Sequence, residues 1–300
     1  MKLYKYLSKS VSPKFLEDPW LRITPRSGLN DPFEVSITET TTQSLGQLAI
    51  AHNNPLGNGF ARKLSEFMDG HGVISLTESP DNLLMWSHYA EDHQGIVIEL
   101  DIDKLDPFQL FNVAHIATSS DAMFDKVNYR KKRPYNGSFM ATSVQEISKH
   151  YYLTKSDEWM YEKEWRYIIP FTSANRVYVD TKNEEGMALL KQKGIDSPKI
   201  ENGIFNASTL FEGSIVLDNS FWEDVFRNSN ENGFIFGITL APRSLNKLIL
   251  GLNTKIDALK QSLQDSDPKI FWSSYDQKFL RTVKAEKDPD RFEVFFNEYK

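Results

Sequence analysis

Two carboxylates and a guanidinium alternate along one stretch near the middle of the chain, Glu162-Lys163-Glu164-Trp165-Arg166. Successive side chains of a β-strand point to opposite faces, so Glu162, Glu164 and Arg166 would share one face. Carboxylates held in this way can orient a sugar hydroxyl and stabilise the positive charge of an oxocarbenium-like transition state. A surface ion pair between neighbouring strands explains the same spacing without any chemistry.

Two hydroxyls lie on a strand that the sequence predicts over residues 73–77. Ser75 and Thr77 share one face of that strand, because side chains alternate along it. Their hydroxyls could brace a catalytic carboxylate, although Ser and Thr in strands are usually structural. The pair is therefore a second candidate group for a site.

A short helix rich in rings is predicted after that strand, from an N-cap at Ser79 to about Asp92. It carries Trp86, His88 and Tyr89. An aromatic ring here could stack on a flat heteroaromatic ligand. Burial of the two aromatic rings in the core, with His88 as an ordinary polar residue, is the alternative interpretation.

Four consecutive cations, residues 130–133, are bounded by Tyr129 and Tyr135. Such a run could hold phosphates or single-stranded nucleic acid. A basic surface loop is an equally simple explanation. Neither a Rossmann fingerprint nor a P-loop occurs in the sequence.

The composition limits the class of protein. The chain has 300 residues, 40% of them hydrophobic, a net charge of −6 and no cysteine. The acidic balance argues against a dedicated nucleic-acid binder, although a local basic patch is compatible with it. The lack of cysteine excludes disulfides, Cys-ligated zinc and thiol catalysis. No metal-ligand spacing, signal peptide or membrane span is found, so we expect a cytoplasmic protein without a metal or a membrane partner.

These residues must be positioned by strands and helices, and the predicted order of those elements indicates an α+β fold with mixed, largely antiparallel sheets and flanking helices. Residues 1–300 are expected to form one elaborated domain, with a sub-boundary near residue 200 as the alternative. The predicted strands cover residues 3–7, 20–24, 73–77, 96–100, 113–117, 126–129, 165–169, 176–180, 214–217, 234–240, 247–250, 270–274 and 279–283, and the predicted helices include 58–68, 141–154, 220–228 and 254–264.

Several motifs occur in an order that resembles a bacterial family catalogued as domain of unknown function 2971. The motifs are Leu3-Tyr4-Lys5-Tyr6, Asn30-Asp31-Pro32-Phe33-Glu34, Ser75-Leu76-Thr77-Glu78, Met85-Trp86-Ser87-His88-Tyr89-Ala90 with His93 and Gly95, and Trp159 through Arg166. A weaker echo follows at Leu248-Ile249-Leu250-Gly251.

A more distant resemblance is to ADP-ribosyltransferases, and it implies a related core and NAD as the substrate. On this resemblance, Lys5 or Arg22 would hold NAD, and Ser75 and Thr77 would match the hydroxyl strand. Further roles follow for the other candidates: Tyr89 or Trp86 as the aromatic on the nicotinamide, Glu164 as the catalytic glutamate with Glu162 completing Glu-x-Glu, and His88 and Arg166 as cofactor-binding neighbours.

The function implied is cleavage of the nicotinamide–ribose bond of NAD, a small-molecule nucleotide, with ADP-ribose released or placed on a macromolecular target, protein or nucleic acid. Such chemistry suits a toxin or a phage-defence effector. One alternative is a non-catalytic or nucleic-acid-binding module that uses residues 130–133. Another is a nuclease in which Asp31, Glu34, Glu162 and Glu164 gather around Mg²⁺.

Overall fold

A computed structural model describes residues 1–51, 56–111, 121–138, 143–193, 200–201, 204–206, 219–241, 244–255, 257, 259 and 281–299. The strands predicted at 113–117, 214–217 and 270–274, and most of the helix predicted at 254–264, lie outside these residues. So do most residues around position 200, and the sub-boundary there stays a prediction.

The predicted α+β class is confirmed, since strands and helices alternate irregularly and most strand pairs are antiparallel. Within the described residues, only β14–β15 and β7–β8 pair in parallel. The strands are β1 (Lys2–Leu7), β2 (Trp20–Arg22), β3 (Thr24–Pro25), β4 (His71–Thr77), β5 (Ile96–Asp101), β6 (Met123–Lys126), β7 (Asn128–Tyr129), β8 (Thr154–Lys155), β9 (Glu164–Pro170), β10 (Arg176–Asp180), β11 (Ile200–Glu201), β12 (Ile204–Asn206), β13 (Phe234–Thr239), β14 (Leu245–Leu250), β15 (Arg281–Lys287) and β16 (Val294–Glu298).

The α-helices flank these strands and are mostly short. They are α1 (Ser12–Glu17), α2 (Glu39–Ala51), α3 (Leu56–Asp69), α4 (Leu83–Tyr89), α5 (Val144–Tyr152), α6 (Glu184–Gln192), α7 (Asn219–Arg227) and α8 (Ser229–Asn232).

Two sheets face each other across the main core. The large sheet has the order β16-β15-β14-β5-β1-β4-β9-β6, with β3 also paired to β4, and the small sheet has the order β11-β12-β10-β13-β2. Leu3, Leu76 and Ile98 of the large sheet pack with Phe236 and Ile238 of the small one. Burial of this apolar area supplies much of the driving force for folding.

The outer face of the large sheet carries two separate apolar clusters. One lies beneath α3 and α5, where Met68 and Tyr152 meet Ile168 of β9. The other lies beneath α4, where Trp86 packs on Tyr6 and Val97. Polar residues fill the zone between them, and this division leaves room for a site.

The two halves of the large sheet are joined weakly at β1 and β4. Strand β1 pairs with β5 at six successive positions, but with β4 only between Tyr4 and Thr77. The ladder therefore opens beyond that pair. The Nζ of Lys5 crosses the opening and donates to the carbonyl of Ser75 at 3.0 Å.

The helix predicted over 79–92 is shorter than expected, and its cap was wrong. Helix α4 has Asn82 as its N-cap, whose side chain accepts from the backbone of Met85 at 3.1 Å. After Tyr89 the chain turns through left-handed residues, with φ values of 46°, 53° and 65° at positions 91–93. The sequence pattern predicts a helix beyond this point, but these backbone dihedrals cannot continue a right-handed helix.

The Gly95 and Gly251 motifs have a packing role. A Cβ on Gly95 would lie 1.9 Å from the carbonyl oxygen of Leu7, and one on Gly251 would lie 2.2 Å from that of His93. The Gly251 amide donates to the Gly95 carbonyl at 3.2 Å. Only glycine allows these backbones to approach so closely. The two motifs therefore join the turn after α4 to the end of β14.

Candidate functional site

A cavity of about 180 Å³ lies where β1 and β4 diverge, between the two outer clusters. Most of the predicted site residues line it, together with an acidic neighbour, Glu34, and a basic neighbour, Lys155. Its lining includes Lys5, Glu34, Ser75, Thr77, Tyr89, Lys155, Glu162, Glu164 and Arg166.

Strand pairing places the β9 side chains beside the hydroxyls of β4. Thr77 is paired with Glu164, and Ser75 with Arg166. Paired residues of an antiparallel ladder project to the same face, so these four side chains form one polar patch. The register, which the sequence did not specify, brings the hydroxyl strand to the carboxylate strand.

Glu162 reaches the cavity for a different reason from the one predicted. It ends a 3-10 helix over Asp157–Glu162, and Lys163 follows with a left-handed φ of 45°. Strand β9 begins only at Glu164. Strand alternation therefore explains Glu164 and Arg166, whereas the turn at Lys163 redirects Glu162 towards the same cavity.

Lys155 is the centre of a buried ion-pair cluster. Its Nζ lies 2.8 Å from Glu34, 2.7 Å from Glu162 and 3.3 Å from Glu164. All four residues are at least 93% buried. Burial opposes charge on this lysine, but the three carboxylates raise the pKa of its ammonium group. Lys155 therefore stays protonated.

Arg166 is the second cation of the cluster and is 1% exposed. Its Nε and Nη2 donate to the two carboxylate oxygens of Glu164 at 2.8 and 2.9 Å. Nη2 also donates to Glu34 at 2.5 Å, and Nη1 donates to the carbonyl of Tyr152 at 2.7 Å. The planar guanidinium thus fixes the orientation of Glu164.

The turn over residues 31–35 presents Glu34 to this cluster. Asp31 accepts from the amide of Phe33 at 2.9 Å, and Val35 takes a left-handed φ of 48°. That conformation is costly for a β-branched residue. Val35 is buried with Leu64 in the cluster beneath α3, and this packing holds it in place.

The two cavity glutamates on either side of Lys163 differ in pKa. Burial would raise the pKa of Glu164, but Arg166 and Lys155 lower it to about 2. Burial raises the pKa of Glu162, and the Lys155 charge offsets that effect only in part. Glu164 is consequently ionised at neutral pH, whereas Glu162 is the easier of the two to protonate.

Tyr89 and Thr77 hold the Glu162 segment from the opposite wall. The Tyr89 hydroxyl donates to Glu162 Oε1 at 2.5 Å, and the Thr77 hydroxyl donates to the Glu162 carbonyl at 2.5 Å. Burial, followed by the Glu162 charge, raises the pKa of Tyr89. The phenol therefore remains a donor, and its ring lines the cavity.

Lys5 is a basic group whose surroundings differ from those of Lys155 and Arg166. Among the described residues it makes no ion pair, and its recorded hydrogen bond goes to the Ser75 carbonyl. Burial lowers the pKa of its ammonium group, Glu164 and Glu162 raise it, and the charge on Arg22 lowers it further. Lys5 is thus a basic group that faces the cavity without a fixed counter-ion.

Three of the predicted site residues do not line the cavity. Trp86 is fully buried beneath α4 and donates to the Pro80 carbonyl at 2.8 Å. His88 lies on the exposed side of α4. Arg22 is exposed and donates to Asn230 at 3.0 Å, so it acts on Lys5 only through its charge.

Lys155 is the cavity residue that reasoning from sequence missed. Its neighbours in sequence, Thr154 and Ser156, mark no motif, and an isolated lysine in a polar segment is typical of a surface. The only available signal was indirect: three carboxylates brought together in a buried place need cations nearby.

The nuclease alternative is not favoured by this arrangement. Glu34, Glu162 and Glu164 do gather, but the Lys155 ammonium lies among them. The Asp31 carboxylate accepts a hydrogen bond in its own turn. In the part of the chain that the structure describes, no group of three or more His, Cys, Asp or Glu residues could hold a metal ion.

The same described part contains no helix with the length and apolar character needed to cross a membrane. Comparison with curated proteins gives no match, and comparison with solved structures gives none either. Residues 85–167 match a family described as "Protein of unknown function (DUF2971)". This range includes Tyr89, Lys155, Glu162, Glu164 and Arg166 of the cavity. Over residues 85–167, this match confirms the resemblance to the DUF2971 family that the motifs predict.

Proposed function

We propose that the chain is an ADP-ribosyltransferase-like enzyme that cleaves the nicotinamide–ribose bond of NAD in this cavity. The observation that carries the proposal is the convergence of Lys5, Ser75, Thr77, Tyr89 and Glu164 from four separate elements on one cavity. A site that merely stabilised the fold would have no need for a solvent-reachable hollow at its charged centre.

Glu164 has the properties that stabilisation of a positively charged ribose requires. Its carboxylate is ionised at neutral pH and held by the Arg166 fork, and it costs no reorganisation when positive charge develops nearby. A carboxylate oxygen can accept more than one hydrogen bond, so Glu164 could still accept from a ribose hydroxyl while paired with Arg166.

The cavity volume suggests which end of NAD enters. Pockets for drug-sized ligands usually measure about 300–1,000 Å³, and this one measures about 180 Å³. The nicotinamide and its ribose would occupy the cavity, with the Tyr89 ring against the nicotinamide. The pyrophosphate would lie towards Lys5 and Arg22, and the adenosine would remain outside.

Glu162 is suited to handle a proton. Its raised pKa and its short contact with the Tyr89 hydroxyl distinguish it from Glu164. Two neighbouring carboxylates with separated pKa values can divide the roles of charge stabiliser and acid or base. Glu162 would accept the proton of the attacking hydroxyl, from water or from a target, as the C–N bond to nicotinamide breaks.

The test is release of nicotinamide from NAD by the full chain and by E164Q. We expect E164Q to lose at least a hundredfold in turnover, because a neutral amide cannot balance the ribose charge. Near-UV circular dichroism should match that of the parent chain, which separates loss of chemistry from loss of fold.

The matched control is the solvent-exposed Glu158→Gln, a glutamate in the same 157–162 segment that does not line the cavity. It should keep full activity. Turnover by E164Q equal to that of the parent chain, or no turnover by the parent chain with any acceptor, would overturn the proposal.

A further inference from the structure

The segment that carries the four cations at 130–133 is joined at both ends to residues in or next to the cavity lining. At one end, Tyr129 pairs with Lys155 in the β7–β8 ladder, and its hydroxyl accepts from the Glu164 amide at 2.8 Å. At the other end, the Arg133 guanidinium donates to the Phe33 carbonyl at 2.6 Å, one residue before Glu34. The run therefore borders the cavity and is not a remote surface loop.

The charges of this run are available to a ligand. Lys131 and Lys132 are exposed, and Arg130 is half-buried. None of the three makes an ion pair with the described residues. Four successive cations produce a positive electrostatic potential around this run, although the chain as a whole has a net charge of −6.

An exposed aromatic ring lies beside these cations. Phe33 is 62% exposed, and the Arg133 guanidinium lies 5.2 Å from the centroid of its ring. The turn that sends Glu34 into the cavity sends Phe33 outwards. Exposure of an aromatic ring to water is unfavourable. An aromatic ring beside an arginine offers a flat surface on which a nucleic-acid base can stack.

We propose that residues 130–133 and Phe33, here named the basic rim, bind single-stranded nucleic acid at the edge of the cavity. The cations would contact successive phosphates, and Phe33 would stack on an unpaired base. A duplex keeps its bases stacked on one another, so it cannot use Phe33. The inference depends on the rim alone and does not require NAD cleavage.

The test is fluorescence anisotropy of a labelled single-stranded oligonucleotide with the full chain and no NAD. If three to four phosphates are contacted, log Kobs should fall with log salt at a slope of about −2 to −3. K131E/K132E should weaken binding at least tenfold at about 50 mM salt. The control K104E/K182E makes the same change in net charge at exposed sites elsewhere and should bind as the parent chain does.

A second pair of variants tests stacking. Phe33→Ala should weaken oligonucleotide binding about fivefold or more, whereas Phe33→Tyr should keep it. Binding of heparin, which has no bases, should be the same for both. A duplex of equal length should bind more weakly than the single strand.

Three results would overturn the proposal. The first is no oligonucleotide binding at low salt, and the second is a loss of oligonucleotide affinity in K104E/K182E equal to that in K131E/K132E. The third is binding of anionic vesicles as tight as that of the single strand, with no effect of Phe33→Ala. The E164Q variant should bind the oligonucleotide normally. Failure of the rim and failure of NAD cleavage are thus separate outcomes.

Discussion

At the scale of single residues, the cavity combines fixed and adjustable charges. Arg166 and Lys155 hold Glu164 ionised, and no described carboxylate is close enough to neutralise Lys5. E164Q leaves both buried cations, Lys155 and Arg166, paired with Glu34. Loss of Lys155 would instead leave three buried carboxylates without the cation that they share, which costs roughly 3–5 kcal/mol. Lys155 is therefore a poor position for a functional test, because its loss would damage the fold, and better tests change one atom or one pKa.

Tyr89→Phe removes one oxygen and keeps the ring. Because the lost hydrogen bond goes to a carboxylate, we expect nicotinamide release to fall about tenfold or more. The Michaelis constant for NAD should change little, since the ring that would contact nicotinamide remains. Tyr89→Leu removes the ring as well and should raise that constant. Equal effects of the two variants would contradict a separate role for the hydroxyl.

The lowered pKa of Lys5 predicts that NAD binding weakens at alkaline pH. On the proposed function, only the protonated amine would attract the pyrophosphate, and burial lowers the pKa of this amine below the ordinary value of 10.5. Affinity should therefore fall as the pH rises through this lowered pKa. Lys5→Arg stays charged over the same range, so its affinity should be independent of pH there. The measurement is the Michaelis constant for NAD against pH; matching profiles for the two proteins would exclude Lys5 as the titrating group.

At the scale of elements, a single left-handed residue joins the 157–162 helix to β9. Lys163 has φ of 45°, its carbonyl accepts from the Glu78 amide at 3.2 Å, and its side chain is exposed. A left-handed conformation costs an L-residue roughly 1–2 kcal/mol, and glycine avoids that cost.

Lys163→Gly should consequently raise the free energy of unfolding by up to about 1 kcal/mol and preserve activity. Lys163→Val should lower it by about 1–2 kcal/mol, because a β-branched side chain tolerates this region worst. Urea denaturation measures both variants. Activity should drop in the valine variant alone, as the turn no longer directs Glu162 to the cavity. A glycine variant less stable than its parent would show that the side chain of Lys163 matters more than its backbone.

At the scale of the whole molecule, the cavity lies where the two halves of the large sheet and both outer clusters meet. A ligand in the cavity would contact elements from both halves at once. Its binding should therefore stabilise the folded state as a unit.

NAD at a hundredfold excess over its dissociation constant should stabilise the chain by about 2.7 kcal/mol, a rise of roughly 5 °C or more in melting temperature. E164Q should show a shift as well, because it lacks chemistry and not the cavity. Differential scanning fluorimetry with ADP at the same concentration is the control, and its shift should be smaller. An equal shift with ADP would mean that the cavity does not recognise the nicotinamide end.

Local patterns in the sequence determined the elements. The alternation of Leu3 and Leu7 with Tyr4 and Tyr6 assigned the two faces of β1 correctly, and the apolar run of β5 is buried throughout. These signals depend on residues a few positions apart, which share the repeat of a strand or helix. The same local information failed at the cap of α4 and at Lys163, where single backbone dihedrals end one element and redirect the next.

Only the tertiary structure decided which of these residues meet. Tyr89 faces the cavity and Trp86 the core, although the two lie on the same predicted helix. Lys155 joins Glu34 to Glu162 and Glu164, which come from a distant stretch of the sequence, and the register of β4 on β9 sets the hydroxyls beside them. Contacts of this kind depend on how sheets and helices pack over separations of tens of residues, and no short sequence window contains that information.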